Sequence, residues 1–262
     1  MKTQTMKQMK SKYISLLAVA LALLTAGTSP ADMLTLQPVD DSTISTITGE
    51  PDTPFGNADQ LAMTGWLDIG ARRPLLKFDL SPIPDGWTLL SAVLTLQLVY
   101  IHPTSWPTFA SEAWRMPNDN WVEATVTWNS YDQTGAVAVA TNVLDAAIGP
   151  RVWNIRIADW NYAEDLLDNA VTFQTRWGLE NNQWLKHVAY SSKEGTVVPT
   201  FRIEYLPCPA DVTGDGVVNV RDLLAVIKAR GPCSGCAADI NDDGVVNVKD
   251  LLAVINAWGP CP

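Results

Sequence analysis

The stretch Asp211-Val212-Thr213-Gly214-Asp215-Gly216-Val217-Val218-Asn219-Val220-Arg221-Asp222 decides the fold of the C-terminal region, because it occurs twice with little change. The second copy is Asp239-Ile240-Asn241-Asp242-Asp243-Gly244-Val245-Val246-Asn247-Val248-Lys249-Asp250, and Leu-Leu-Ala-Val-Ile follows both copies. A twelve-residue loop with oxygen donors at positions 1, 3, 5, 7, 9 and 12, and glycine at position 6, is typical of a calcium site. The sequence therefore predicts two calcium ions.

Each loop offers carboxylates, an amide or hydroxyl oxygen and one backbone carbonyl at the ligand positions. Position 12 is aspartate in both copies, where an EF-hand has glutamate. We expect the second loop to bind calcium more tightly, because asparagine at position 3 is a better oxygen donor than threonine. The predicted ligands are Asp211, Thr213, Asp215, the Val217 carbonyl, Asn219 and Asp222, and then Asp239, Asn241, Asp243, the Val245 carbonyl, Asn247 and Asp250.

A loop followed by one helix, repeated once, with aspartate at position 12, resembles the dockerin domain over residues 208–261. The resemblance implies calcium-dependent docking onto a cohesin-like or other surface protein. Many dockerins carry small hydroxyl residues at loop positions 10 and 11. This chain departs from that pattern with Val220-Arg221 and Val248-Lys249.

The four cysteines all lie inside the repeated region, one before each loop and one after each helix: Cys208, Cys233, Cys236 and Cys261. An even number at repeat-related positions predicts disulfides, with a zinc site as the alternative. Two pairings respect the repeat, namely 208–233 with 236–261, or 208–261 with 233–236. Antiparallel packing of the two helices, as in dockerins, favours the second pairing.

Residues 32–206 form a separate body whose composition differs from that of the repeated region. This body contains no cysteine and ten of the eleven tryptophans. Short runs rich in β-forming residues alternate with Gly, Pro, Asn and Asp, which is typical of a β-sandwich or jelly roll. One helix is expected at 163–167. The predicted fold class of this body is therefore mainly β. A small α domain of two calcium loop–helix repeats follows it. The predicted strands are 75–80, 92–100, 125–128, 152–157, 170–176, 186–190 and 201–205.

This body is similar to the DNRLRE domain, a secreted β-sandwich grouped with carbohydrate-binding modules that include alginate binders. The similarity spans 35–206 and implies a polysaccharide ligand. The motifs that carry it are Asp40 with Ser42-Thr43-Ile44, Phe55-Gly56-Asn57, Leu75-Leu76-Lys77-Phe78-Asp79-Leu80, Trp121-Val122-Glu123-Ala124-Thr125-Val126-Thr127-Trp128-Asn129 and Tyr190-Ser191-Ser192-Lys193-Glu194.

Candidate sugar-binding residues are aromatic rings in polar stretches and a neighbouring pair of arginines. Sugar rings stack on exposed aromatic faces, and an arginine fork matches the carboxylate of a uronate sugar. We expect Trp121 and Trp128 to pack in the core instead. The candidates are Trp66, Arg72, Arg73 and Trp184, with Trp106 and Trp160 as further platforms.

No catalytic constellation is evident, so we expect a protein that is not an enzyme. His102 and His187 are far apart in sequence, and no nucleophile elbow, phosphate loop or zinc-protease motif occurs. Asp79 and Glu123 are expected to hydrogen-bond at strand ends. There are two alternatives. One is a dockerin-bearing glycan hydrolase or lyase, and the other is a structural cell-surface or matrix protein.

The N-terminal residues 1–31 resemble a signal peptide, which predicts a secreted or cell-surface protein. Four lysines precede an apolar run that is too short to span a bilayer. The whole chain has a net charge of −10, and loss of residues 1–31 leaves 14 basic against 28 acidic residues. Such a surface repels nucleic acid, and no membrane-spanning segment is expected. Residues 32–206 and 207–262 are the two predicted domains.

Overall fold

The computed structural model describes residues 31–67, 69–83, 88–103, 109–145, 147–180, 185–206, 208–233 and 235–261. Residues 1–30 of the predicted signal peptide lie outside the described residues. The same is true of two candidate sugar platforms, Trp106 and Trp184.

Within the described residues, eleven strands pair into one antiparallel sheet. A turn of 3-10 helix, Ile157–Asp159, and a short helix α1, Tyr162–Asp168, precede the ninth strand. The strands are β1 Asp32–Leu36, β2 Pro38–Ser45, β3 Gln60–Trp66, β4 Gly70–Asp79, β5 Thr88–Ile101, β6 Phe109–Met116, β7 Val137–Leu144, β8 Gly149–Ile155, β9 Ala170–Trp177, β10 Lys186–Ser191 and β11 Thr200–Leu206.

The sheet folds back on itself between β3 and β4, so its two halves enclose one core. Neighbouring strands follow the order β1-β11-β5-β10-β3-β4-β9-β6-β7, with β2 beside β4 and β8 beside β5. Phe201 of β11 contacts Phe78 of β4 and Phe173 of β9, with ring centres 5.3 and 5.0 Å apart. This contact across the halves makes the architecture a β-sandwich, as the sequence predicts.

Strand β5 shows why alternating apolar residues form this sandwich. Its inward residues Ala92, Leu94, Leu96 and Leu98 are buried in the core, and the residues between them, 93, 95 and 97, are only partly covered. Side chains of a strand point alternately to the two faces, so this pattern suits a strand with one buried face. The strands predicted at 92–100, 170–176, 186–190 and 201–205 and the helix at 163–167 are confirmed. The strand predicted at 75–80 ends at Asp79, and the one predicted at 152–157 ends at Ile155, before the 3-10 turn.

The strand predicted at 125–128 is wrong, because these residues form turns. The backbone N–H groups of Thr125 and Val126 both donate to the Val122 carbonyl, which curls the chain. The segment instead lays Trp121 and Val126 on the outer face of β4 and β9. There the Trp121 Nε1–H donates to Thr172 Oγ1 at 2.9 Å. Trp121 is therefore a packing residue, as the sequence predicts.

The C-terminal region has its own small hydrophobic cluster around two short helices, α2 Val220–Lys228 and α3 Val248–Asn256. Two-residue strands cross-connect the repeats. The strand inside the first loop pairs with the one after α3, and the strand after α2 pairs with the one inside the second loop. The short strands are β12 Val217–Val218, β13 Gly231–Pro232, β14 Val245–Val246 and β15 Gly259–Pro260.

Disulfides follow this crossed arrangement. Cys208 bonds to Cys261, which joins the start of the region to its end, and Cys233 bonds to Cys236. This is the pairing that the sequence favours, and it leaves no cysteine in the described residues for the alternative zinc site. Among the described residues, no helix is long and apolar enough to cross a membrane.

A buried polar cluster joins four separated motifs of the sandwich. Asp41 is 1% exposed, and its Oδ2 accepts a hydrogen bond from the Lys193 backbone N–H at 2.7 Å. The Lys193 ammonium lies 2.8 Å from Glu123 and 2.5 Å from Glu194. A β-carbon on Gly56 would approach the Glu123 carbonyl oxygen to 2.1 Å, so only glycine fits there. Motif residues far apart in sequence thus meet at one place.

The buried carboxyl of Asp41 should make the stability of the sandwich depend on pH. Burial raises the pKa of the Asp41 carboxyl to about 7, and the nearby Glu194 and Glu123 carboxylates add to the rise. The folded chain therefore holds an extra proton between about pH 4 and 7, so the free energy of unfolding falls as pH rises through this window. We expect Asp41→Asn to flatten that slope in melting curves followed by tryptophan fluorescence.

The matched control for this substitution is Asp32→Asn, which changes an exposed aspartate of β1. It should retain the wild-type slope. If Asp41→Asn keeps the full slope as well, another group is responsible for the pH dependence.

Candidate functional sites

The first predicted calcium loop is closed by its own buried carboxylates. Asp222 is fully buried, and its Oδ1 accepts from the Thr213 backbone N–H at 2.9 Å and the Thr213 hydroxyl at 2.8 Å. Its Oδ2 accepts from the Asn219 N–H at 2.8 Å. Asp211, 5% exposed, accepts from the Gly216 N–H at 2.7 Å. Loop positions 1 and 12 therefore both direct oxygens inward.

The second loop repeats this geometry. Asp250 is fully buried and accepts from the N–H groups of Asn241 at 3.3 Å and Asn247 at 2.8 Å. Asp239 accepts from the Gly244 N–H at 2.7 Å. Gly244 has a φ of 83°, and the equivalent Gly216 has 81°, in the left-handed region that glycine adopts without strain. These glycines make the sharp turn that position 6 of a calcium loop requires.

The donors in both loops fit a calcium ion. Each loop carries three carboxylates at ligand positions and adds amide and carbonyl oxygens, which are the hard ligands that calcium prefers. Buried carboxylates are costly without a positive charge nearby, and calcium bound here would supply two such charges. Six predicted ligand positions in each loop would hold one ion: 211, 213, 215, 217, 219 and 222 in the first loop, and their repeat equivalents in the second.

Each loop also carries its own cation at position 11. An Arg221 guanidinium nitrogen lies 3.2 Å from Asp215 Oδ2, and the Lys249 ammonium lies 3.0 Å from Asp243 Oδ2. Hydrogen bonding from Lys249 lowers the pKa of Asp243. The departure from the usual dockerin residues therefore places a positive charge beside a predicted calcium ligand in both copies.

The two arginines predicted to bind a uronate are already paired within the chain. Arg72 forms a two-pronged pair with Glu50, and Arg73 forms one with Glu180 at 2.8 and 2.6 Å. They are neighbours in β4 and therefore point to opposite faces of the sheet. A ligand carboxylate would compete with a glutamate at either residue. Trp66 lies half-buried at the end of β3.

Trp160 is wrong as a sugar platform. It is 4% exposed and packs against Phe173 and Phe201, with ring centres 6.1 and 5.5 Å away. Its Nε1–H donates to Asp165, which also pairs with the buried Arg115. The polar sequence around Trp160 belongs to the turn and helix that carry this ring into the core.

A cationic and aromatic face on β9 and β6 was missed by sequence reasoning. The Arg176 guanidinium carbon lies 3.3 Å from the centre of the Trp114 ring, whose Nε1–H donates to Glu112 at 2.8 Å. Arg73 lies beside it, over the Trp128 ring at 4.7 Å. The only signal in the sequence for this face was the alternation of residues along β9, because Thr172, Gln174 and Arg176 all face away from the main core.

Arg176 is the unusual member of this face. Within the described part of the chain its guanidinium makes no hydrogen bond or ion pair. Burial lowers its pKa to about 10, and the neighbouring Arg73 adds to that effect. Glu112 and Glu180, the nearest carboxylates, are engaged by Trp114 and Arg73. Glu112 lies opposite Arg176 across β6 and β9 and attracts it, but no carboxylate of the described residues comes within ion-pair distance, so the guanidinium can still donate to a ligand carboxylate.

The structure also brings together the two histidines, which are distant in sequence. The His102 N–H donates to the His187 carbonyl at 3.0 Å, and the ring centres lie 6.4 Å apart beside Tyr100. His187 Nδ1 is 2.6 Å from Thr64 Oγ1, and burial lowers the pKa of its imidazole. Pairing of β10 with β3 and β5 causes this proximity, which sequence spacing does not reveal.

Comparison with known proteins assigns both parts of the chain. The model of carbohydrate-binding module family 96 matches residues 32–204, and the model of the dockerin type I domain matches residues 209–259. No curated protein matches the chain. The sandwich and the paired calcium-type loops described above are the structural counterparts of these two matches. The chain therefore belongs to carbohydrate-binding module family 96, and a dockerin type I domain follows the module.

Proposed function

We propose that this chain is an exported, non-catalytic protein that binds a polysaccharide through its sandwich and a cohesin-like surface protein through its tail. The basic and apolar composition of residues 1–31 supports export. Two disulfides also favour an oxidising compartment outside the cytosol. The proposal of polysaccharide binding rests on the guanidinium of Arg176, which stacks on Trp114 and makes no close ion pair within the described residues.

The proposed ligand is a polysaccharide with carboxylate groups, such as a polyuronate. Arg176 offers a planar fork of N–H donors, and Trp114 holds that fork in place by stacking. Arg73 and Gln174 lie on the same face, and Gln174 shares Gln133 as a hydrogen-bond partner with Arg73. A sugar carboxylate would form the close ion pair that Arg176 does not make with any carboxylate of the described residues.

Other candidate contacts would extend this face or form a second one. Trp66 and Trp184 remain proposed platforms for neutral sugar rings. Arg73 would act within the Arg176 face. Arg72 would contact a sugar only if the ligand displaced Glu50, because the Glu50 carboxylate occupies its fork.

We expect Arg176→Ala to weaken binding to a soluble polyuronate by about tenfold or more, because a hydrogen bond to a charged group contributes about 1.5–3 kcal/mol. The affinity of Arg176→Lys should lie between those of the wild type and Arg176→Ala, since lysine keeps the charge but lacks the planar fork of donors. Titration calorimetry with the full chain and a polyuronate measures the loss. The melting temperature should change little, because the variant loses the stacking contact with Trp114 but also removes the cost of burying the guanidinium.

The control is Arg202→Ala, which removes an exposed arginine of β11 on the other half of the sheet. It removes the same charge but should leave affinity unchanged. Equal weakening by both variants would indicate nonspecific attraction. Release of new reducing ends from the polymer by the purified chain would contradict the non-catalytic proposal.

We propose that the tail binds two calcium ions and that the second loop has a higher calcium affinity than the first. Loop two has Asn241 at position 3, whose side-chain oxygen accepts from the Asp243 N–H at 3.1 Å and so already faces position 5. Thr213 at the same position of loop one instead donates its hydroxyl to Asp222. A hydroxyl used as a donor to one ligand is less available as a calcium ligand itself.

A reciprocal exchange tests this order of affinity. Thr213→Asn should raise the affinity of the weaker site toward that of the stronger site, and Asn241→Thr should lower the stronger site. Calcium titration calorimetry of the full chain should resolve two sites before and after the exchange. A single site in the wild type would contradict the proposal of two ions, and unaltered affinities would contradict the role of position 3.

We further propose that residues 32–206 and 207–262 unfold as separate domains, because each has its own hydrophobic cluster. Each ion that binds only the folded tail adds about 2.7 kcal/mol of stability when free calcium is 100 times the dissociation constant. A chelator should therefore lower the tail transition in scanning calorimetry and leave the sandwich transition in place. A single transition that shifts as a whole would show that the two parts unfold together.

A further inference from the structure

The Cys233–Cys236 disulfide joins two backbone contacts of the second predicted calcium loop. The Cys236 carbonyl accepts a hydrogen bond at 3.0 Å from the N–H of Asp239, which is loop position 1. The Cys233 N–H donates at 3.0 Å to the carbonyl of Gly244, which is loop position 6. Asp239 in turn accepts from the Gly244 N–H at 2.7 Å. This loop-two disulfide therefore completes a ring of contacts that holds the first half of the loop from outside.

The Cys208–Cys261 disulfide holds the first loop in the same way. The Cys208 carbonyl accepts from the Asp211 N–H, at loop position 1, at 2.9 Å. The Cys261 N–H donates to the carbonyl of Gly216, at loop position 6, at 3.0 Å. The two bridges are thus equivalent under the internal repeat. Each predicted calcium site has a disulfide of its own, and the loop-one disulfide serves as an internal comparison for the loop-two disulfide.

The two disulfides differ in access to solvent and in the length of chain that they span. Cys208 is 5% exposed and belongs to the buried cluster of the tail, whereas Cys233 and Cys236 are both only partly buried. Cys261 is also partly buried, but its sulfur lies 3.6 Å from an Asp211 carboxylate oxygen, which would repel an attacking thiolate.

The spacing of the cysteines favours reversible opening of the same bridge. The loop-one disulfide joins residues 53 apart in sequence, and the loop-two disulfide joins residues 3 apart. A reductant must reach a sulfur to break a disulfide, and two thiols close along the chain meet again at little cost in entropy. The loop-two disulfide is therefore the one that can open and close while the tail stays folded.

We propose that the Cys233–Cys236 disulfide is a site of reversible thiol–disulfide exchange that sets the calcium affinity of the second loop, and that a dithiol reductant is its substrate. This inference rests on the proposed binding of two calcium ions. In the exchange, one thiolate of the reductant attacks a sulfur of the pair, the Cys233–Cys236 bond breaks, and a mixed disulfide forms. The second thiolate of the reductant then displaces the chain. The chain gains two electrons and two protons and ends with two thiols, and the reductant ends as a disulfide.

Opening of this bridge weakens the second calcium site because the two outer contacts of the loop are no longer joined. Strand β13 pairs with β14 inside the loop, and the segment that leads into Asp239 can then move away from it. Calcium binds the closed loop, so the apparent dissociation constant rises as the closed fraction falls. Since disulfides form mainly outside the cytosol, the second site would reach its full affinity only after export.

The test compares calcium binding by the full chain before and after mild reduction with dithiothreitol. Alkylation and mass spectrometry should show two modified cysteines, both from the loop-two disulfide, and an intact loop-one disulfide. Calorimetry should show a dissociation constant for loop two that rises by about fivefold or more, corresponding to a closed fraction of about one-fifth or less. The first site should change by less than about twofold.

Two matched variants assign the change to its loop. Asp215→Asn weakens the first site, so the tighter remaining site is loop two, and dithiothreitol should weaken it. Asp243→Asn weakens the second site, so the tighter remaining site is loop one, and dithiothreitol should leave it unchanged. The double variant Cys233→Ser with Cys236→Ser should bind calcium as the reduced wild type does and should not respond to dithiothreitol.

A redox titration gives a second readout that does not depend on calorimetry. Coupling between two equilibria is reciprocal, so saturating calcium should lower the equilibrium constant for reduction of the loop-two disulfide by the same factor, about fivefold or more. Mixtures of reduced and oxidised dithiothreitol, followed by thiol alkylation, measure that constant with calcium and with chelator.

Equal loop-two affinity in the oxidised and reduced chains would overturn the inference and leave the proposal of two calcium ions intact. Reduction of the loop-one disulfide before the loop-two disulfide would overturn it too. Equal losses of affinity at both loops would do the same, because the effect would then not be local. A single calcium site in the oxidised wild type would overturn the proposal of two ions and the inference with it.

Discussion

Contact between Phe201 and the pair Phe78 and Phe173 closes the sheet on itself, and the remainder of the sandwich depends on that closure. These rings come from opposite halves of the sheet and meet with centres 5.3 and 5.0 Å apart. Because strand side chains alternate, placing Phe173 inward obliges Gln174 and its even-numbered neighbours in β9 to point outward. The same packing that buries the core therefore builds the candidate binding face.

That outer face is covered over one part and left open over another. The segment after β6 lays Trp121, Val126 and Tyr131 over Leu75 and so forms a second, smaller core. Beyond it, Arg176 stays partly buried and stacked on Trp114, at a desolvation cost that no ion pair in the described residues offsets. Burial without a close ion pair is unfavourable for stability, and the proposed ligand carboxylate would offset that cost.

The tail faces the opposite electrostatic problem, because its loops gather negative charge. Backbone N–H groups, the crossed short strands and the Cys208–Cys261 disulfide hold the carboxylates together. The basic residues at position 11 offset part of the repulsion, and calcium would offset the remainder. The two loops differ at positions 2, 3, 4 and 11, yet every predicted ligand position except position 3 is identical in the two copies.

The calcium loops could be recognised from sequence alone, because all their ligands lie within twelve consecutive residues and local backbone geometry brings them together. Core strands such as β5 were equally predictable, since burial of one face requires the alternation that the chain displays. Residues 125–128 misled the prediction, because a short alternating segment also suits a turn that packs on a sheet from outside. Trp160 misled it because a polar local sequence says nothing about where the ring is buried.

The sequence by itself thus determined the loop motif and the mainly β body, and it left two repeat-related disulfide pairings open. Only the tertiary structure decided that Arg72 and Arg73 are paired with glutamates, that Arg176 meets Trp114, and that His102 meets His187. The physical reason is the range of the contacts. A loop or an alternating strand is specified by neighbours along the chain, whereas these side chains meet only after distant strands have paired.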